Sequence, residues 1–181
     1  MNLPNKLAML RMILVIPFVI IFGIALSTDG TILSVLMRIS AFLIFVGASV
    51  TDYLDGYIAR KYNLVTNLGK LIDPLADKIL VISALTVLVK YNKISLWAVL
   101  IIIFRELMIT GLRAIVASEG AVIAAETLGK WKTAAQMTAL TIIILFPLSY
   151  TMNNILLIVP LVLTVISGLE YVLKTKDILN K

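Results

Sequence analysis

Six apolar stretches, each about twenty residues long, fill most of this chain, at approximately 7–26, 33–56, 71–89, 95–117, 133–150 and 153–173. An α-helix of that length satisfies its own backbone N–H and C=O groups, which is what hydrocarbon demands of any spanning segment. The chain has 181 residues, of which 61% are hydrophobic, and its mean hydropathy is +1.06. A soluble core has no room for that much apolar surface. The expected fold is therefore all-α: an integral membrane bundle of six transmembrane helices, forming a single domain over residues 1–181. No internal repeat, low-complexity tract or long linker divides it. The segment Asn2-Leu3-Pro4-Asn5-Lys6-Leu7 has helix-start chemistry and is expected to form a short N-terminal interfacial helix, close enough to the headgroups to touch one. The first span has no small-residue cleavage site, because Pro17 and Phe18 stand where one would fall, so it is expected to be retained.

Basic residues set the expected orientation, since Lys and Arg concentrate in cytoplasmic loops. With six spans both termini share a side. That side carries Lys6 and Arg11, the 59–70 loop with Arg60, Lys61 and Lys70, the 118–132 loop with Lys130 and Lys132, and Lys174, Lys176 and Lys181 in the tail. It is read as cytoplasmic, with only Lys90 and Lys93 opposing. The net charge of +6 does not point to nucleic acid. The basic residues border apolar spans, have no polar aromatic-bearing domain beside them, and suit anionic lipid headgroups. The chain contains no Cys and no His, which excludes thiolate and imidazole nucleophiles and Cys/His zinc sites. Any general base is a carboxylate.

Within this apolar background stand four aspartates, in the frame Asp52-x-x-Asp55-Gly56-x-x-Ala59-Arg60-(x8)-Gly69-x-x-x-Asp73-x-x-x-Asp77. A carboxylate at the bilayer centre costs about 2.5–3.5 kcal/mol even on the lenient insertion scale, a heavy load for a protein stable by about 5–15 kcal/mol. Bound cations and a watered cavity relieve it. Asp52 and Asp55 lie three residues apart and Asp73 and Asp77 four apart, so on helices each pair shares a face, one turn apart. Gly56 and Gly69 leave room for a ligand or another backbone. The third span is expected to start or kink at Asp73-Pro74, because proline disfavours helical geometry in the residue before it. Four hard oxygen donors suit two divalent cations, Mg²⁺ or Mn²⁺, about 3.5–4 Å apart, the arrangement that clamps a displacement at phosphorus. The competing reading is that some of these carboxylates cap helices or pair with Arg60, Lys70 and Lys78.

The frame resembles the signature of the CDP-alcohol phosphatidyltransferase family, and every position from Asp52 to Asp77 carries the residue expected there. The resemblance extends to the Asn-Leu-Pro-Asn start, to Gly69-Lys70-Leu71-Ile72-Asp73-Pro74-Leu75-Ala76-Asp77-Lys78, and to Arg105-Glu106 with Arg113 in the fourth span. Ala8 stands where the family's N-terminal pattern often has Thr. The resemblance implies that Asp52, Asp55, Asp73 and Asp77 are metal ligands, Asp77 also being the base that deprotonates the acceptor alcohol. It implies a CDP-diacylglycerol site at Asn5, Gly56, Ala59, Arg60, Thr66 and Gly69. Gly56 and Ala59 would keep the helix thin beside the nucleotide, and Arg60 would meet phosphate charge. It also implies a homodimer.

Arg105 and Glu106 interrupt the fourth apolar run, and Arg113 lies about two turns further on. Charges there need a partner or an anionic ligand. Glycerol 3-phosphate supplies the anion, and Lys130 and Lys132 at the head of the fifth span would complete its pocket. The alternative pairs Arg105 with Glu106 or a motif aspartate and leaves the lysines as snorkelling anchors. Arg38, near the far end of the second span, is expected to snorkel to headgroups. Other acceptors in the family, inositol phosphate or phosphatidylglycerol, stay open. A small cation transporter is the reading from a different class, and it leaves Gly56, Arg60 and Gly69 without a purpose.

Overall fold

A computed structural model describes the backbone of residues 3–61, 67–118 and 127–179, and within them the side chains of 6–51, 76, 78–116 and 127–176. Among these residues are six helices and no strand: α1 (Leu3–Ser27), α2 (Ile32–Lys61), α3 (Asn67–Lys90), α4 (Leu96–Ser118), α5 (Thr127–Leu145) and α6 (Tyr150–Leu179). Each apolar stretch has its helix. Two helices begin earlier than expected. No separate interfacial helix precedes the first span, because α1 runs unbroken from Leu3; Pro4 falls in the first turn, where its missing N–H has no intrahelical partner to lose. The third helix starts at Asn67 and passes through Pro74. At α5 the helix begins at Thr127, ahead of its apolar run, and stops at Leu145, two residues before Pro147.

Three helices are long and apolar enough to cross a membrane among the described residues: Lys6–Ser27, Ile32–Thr51 and Tyr150–Lys176. Their outer faces leave large apolar side chains exposed, including Ile13, Ile16 and Ile20 on α1 and Ile155, Ile158 and Val159 on α6. Faces of this kind on a water-soluble chain would drive association; lipid solvates them. The protein is a membrane protein.

The chain divides into two compact units, 1–91 with 141–147, and 92–140 with 148–181. In the first, α1 packs on α2 and α3. Ala8, Arg11, Val15, Phe18, Phe22 and Ala25 of α1 are buried, with Leu26 beside the last, and the six alternate by three and four, the spacing of a helix–helix seam. On α2 the buried set Ser34, Arg38, Ala41, Phe45 and Ala48 has the same rhythm. Phe18 is the hub, with ring centroids 5.6 Å from Phe22 and 5.7 Å from Phe45. The turn between α1 and α2 uses Gly30 at φ 86°, a left-handed conformation that disfavours side chains. Thr31 then caps α2, its Oγ1 accepting the Ser34 N–H at 3.1 Å.

Arg38 does not snorkel. It is 3% exposed, and its Nη1 donates to the carbonyls of Ile143 (3.4 Å), Ile144 (3.3 Å) and Phe146 (3.3 Å), while Nη2 meets Asp29 Oδ1 at 3.4 Å. The C-terminal carbonyls of a helix have no intrahelical donors, and a cation there also opposes the helix dipole. Arg38 is thus the cap of α5. Replacing it with Met takes the donor from those carbonyls and removes the contact with Asp29, a loss of about 3 kcal/mol. The Arg38→Met protein in detergent is expected to unfold about 5–10 °C lower. Turnover at low temperature should change little, because about 21 Å of α2 separates position 38 from position 52. Thermal unfolding alongside a low-temperature activity assay checks both.

In the second unit α4 packs on α6. The buried side of α6 carries Asn153, Leu157, Thr164, Ser167 and Tyr171, a stripe with several small polar residues of the sort that lets membrane helices approach closely. At its start Asn153 Nδ2 donates to Lys93 O at 3.0 Å, and Asn154 Oδ1 accepts the Ser95 N–H at 2.9 Å. These two bonds pin the N-terminus of α6 to the segment that leads into α4.

Candidate active site

Asp52 and Asp55 fall within α2, and Asp73 and Asp77 within α3. The expected helical spacing of each pair therefore holds in the backbone, and α2 and α3 touch. The side chains of Asn5, Asp52, Asp55, Gly56, Ala59, Arg60, Gly69, Asp73 and Asp77, and all of Thr66, lie outside the described residues. A chain with no His and no Cys offers a divalent cation oxygen ligands, chemistry that suits Mg²⁺ or Mn²⁺ better than zinc. Among the described residues no cluster of His, Cys, Asp or Glu offers a competing metal site.

Sequence reading had assigned Arg11 no role beyond orientation. Its guanidinium is buried in the first unit, and Nε donates to Ala48 O at 3.2 Å. Ala48 stands one turn before Asp52, so a buried cation is anchored at the helix level where the carboxylates begin. A break of one polar residue in the three-four rhythm of α1 was the available signal.

The second unit holds another charged group. Arg105 and Glu106 are adjacent on α4, and Lys132 of α5, only 4% exposed, forms an ion pair with Glu106 Oε1. Arg105 Nη1 lies 3.9 Å from Glu106 Oε2, and its Nη2 donates to Ser167 Oγ of α6 at 2.9 Å. One carboxylate thus stands against two cations. Two buried donors in this unit, Arg105 Nε and Gln136 Nε2, have no hydrogen-bond partner among the described residues. Gln136 is one turn after Lys132 on the buried side of α5. Buried donors are normally satisfied, and unspent N–H groups beside a guanidinium suit a phosphate.

The sequence-predicted acceptor residues therefore separate. Arg105 and Lys132 come together through Glu106, so Arg105 pairs with Glu106 as the alternative expected, and Lys132 joins the same carboxylate. Lys132 is no snorkelling anchor, whereas Lys130 is exposed. Arg113 is exposed as well, and its guanidinium carbon sits 5.5 Å from the centroid of the Tyr171 ring, a cation–π contact. Gln136, Ser167 and Gly168 were not anticipated, since small or neutral polar residues in an apolar helix carry no distinctive signal.

The CDP-alcohol phosphatidyltransferase profile matches residues 1–166. The chain belongs to the CDP-alcohol phosphatidyltransferase family. It is 42% identical to the CDP-diacylglycerol–glycerol-3-phosphate 3-phosphatidyltransferase of Bacillus subtilis (strain 168), over 99% of this chain and 97% of that protein. Proteins of the same name from Rickettsia bellii (strain RML369-C) and Haemophilus influenzae (strain ATCC 51907 / DSM 11121 / KW20 / Rd) are 40% and 37% identical; each comparison covers 94% of this chain, and 93% and 91% of those proteins respectively. The family is generally divalent-cation dependent. Membership makes this protein a phosphatidyltransferase.

Proposed function

We propose that this protein transfers the phosphatidyl group of CDP-diacylglycerol to glycerol 3-phosphate, acting as a phosphatidylglycerophosphate synthase and releasing CMP. The observation that carries the acceptor assignment is the Arg105–Glu106–Lys132 group, in which the buried Arg105 Nε has no hydrogen-bond partner among the described residues. The name shared by the relatives supports the same reading.

Asp52, Asp55, Asp73 and Asp77 hold two divalent cations, Mg²⁺ or Mn²⁺, and when bound these neutralise the pyrophosphate of the lipid donor. Gly56, Ala59, Arg60, Thr66 and Gly69 receive the CDP moiety, with Asn5 close to the headgroup. Arg105 and Lys132 bind the phosphate of glycerol 3-phosphate, Gln136 adds a neutral donor, and Arg113 and Lys130 supply outer positive charge. Asp77 accepts the proton of the free primary hydroxyl, and that oxygen forms a bond to the phosphorus bearing diacylglycerol. The bond from this phosphorus to the CMP oxygen breaks in line, and CMP leaves with the electron pair, its charge met by Arg60. Positioning and charge neutralisation carry the rate, and no covalent enzyme intermediate is needed. All six helices span the membrane, the whole chain is one catalytic domain, both termini and the active site face the cytoplasm, and the protein works as a homodimer in the cell membrane.

Purified protein supplied with CDP-diacylglycerol, Mg²⁺ and a panel of alcohols tests the assignment by CMP release. Glycerol 3-phosphate is expected to exceed the unphosphorylated alcohols glycerol and serine by at least about 100-fold in kcat/KM, the discrimination a phosphate on paired cations supplies, and to exceed inositol phosphate by a smaller margin. A larger rate with another alcohol overturns the acceptor and leaves the family membership intact.

A further inference from the structure

Arg105 is the cation best placed to read the acceptor's phosphate, and the way α6 holds it has a consequence of its own. Its Nη2 donates to Ser167 Oγ at 2.9 Å, and Ser167, 2% exposed, in turn donates to Thr164 O at 3.3 Å. Arginine has no acceptor atom, so the hydroxyl hydrogen must point at the Thr164 carbonyl, and the serine lone pairs must face the guanidinium. The next residue, Gly168, completes the fit: a Cβ built there would lie 3.1 Å from Arg105 Cγ, 3.6 Å from Nε and 3.9 Å from Cδ. The near contact is with the root of the side chain rather than its mobile end, so a methyl group there requires the stem to give by a few tenths of an ångström. A guanidinium reads phosphate through paired N–H groups in a fixed plane. Here one Nη is committed to serine, and Nε is left without a partner among the described residues.

We infer that Ser167 and Gly168 of α6 form a seat that aims the Arg105 guanidinium at the phosphate of the acceptor, and that they are positioning residues for acceptor affinity rather than merely packing residues. The inference rests on the acceptor reading above and assigns its specificity partly to a helix that bears none of the family's aspartate frame. Ser167 sets the rotation of the guanidinium plane through Nη2. Gly168 sets how deep the stem lies.

The test is a steady-state comparison of Ser167→Ala, Gly168→Ala, Arg105→Ala and the double variant Ser167→Ala with Arg105→Ala, each checked for a monodisperse peak in detergent. Ser167→Ala and Gly168→Ala are expected to raise the KM for glycerol 3-phosphate roughly tenfold, with the KM for CDP-diacylglycerol held within about twofold and kcat little changed. Ser167→Thr, which keeps the hydroxyl, should recover most of the loss. In the Arg105→Ala background Ser167→Ala should add nothing, because the group it aims is gone. Equal damage with and without Arg105, equal damage to both substrates, or no damage from either single variant overturns the inference while the acceptor assignment stands. An Arg105→Ala protein with an unchanged KM for glycerol 3-phosphate removes both. If Ser167→Ala does not give folded protein, Gly168→Ala alone and in the Arg105→Ala background supplies the same comparison.

Discussion

Replacing Asp77 by Asn is expected to lower kcat for CMP release by about 10³–10⁴-fold while leaving the protein folded. Asparagine matches aspartate in shape, and position 77 lies inside α3, so the helix loses no backbone bond. What disappears is the one group proposed to take the acceptor's proton. The chain has no His and no Cys, and the other carboxylates of the frame are the ones proposed as metal ligands. Loss of one charge at the cations adds to the deficit, which sets the expectation at the upper end of what a general base contributes. The measurement is single-turnover CMP release at saturating glycerol 3-phosphate and cation, which separates the chemical step from binding. An Asp77→Asn protein with near-normal turnover ends the assignment of Asp77 as base.

Chelation of divalent cations should have an effect of the same order. A pyrophosphate cannot approach four carboxylates unless their charge is offset, so with excess EDTA, CMP release is expected to fall to background, and Mg²⁺ or Mn²⁺ should restore it. A second readout is independent of turnover: ions that bind only the folded state stabilise it, by about 2.7 kcal/mol at a hundred times the dissociation constant. The unfolding temperature in detergent should therefore rise with added cation. Asp55→Asn should flatten that response. Undiminished CMP release in the chelator, or a cation response untouched by Asp55→Asn, removes the metal site from the mechanism.

The legibility of this protein in its sequence is uneven for a physical reason. Helix number came from run length, and each of the six apolar stretches has a helix on it. Faces were another matter. α1 is apolar on every side, so nothing in its pattern separates the buried Val15, Phe18 and Phe22 from the exposed Ile13, Ile16 and Ile20; lipid and protein interior reward the same side chains. Charges fared better as a warning than as an assignment. Arg38 was visible as an anomaly, yet its partners are carbonyls at the end of a helix more than a hundred residues on, and backbone groups leave no mark in a sequence. Lys130 and Lys132 looked equivalent, and burial distinguishes them because two residues on a helix point to nearly opposite sides.

The order of residues alone determined the class of the protein: apolar length demands helices that satisfy their own hydrogen bonds, and the aspartate frame marks the family. Only tertiary structure decided which charges neutralise each other, which of two lysines is enclosed, and why a serine and a glycine on α6 matter to an arginine on α4. Spacing along a chain encodes what is near in one helix. Contacts between helices depend on which faces meet, and where both solvent and core are apolar, hydropathy does not say.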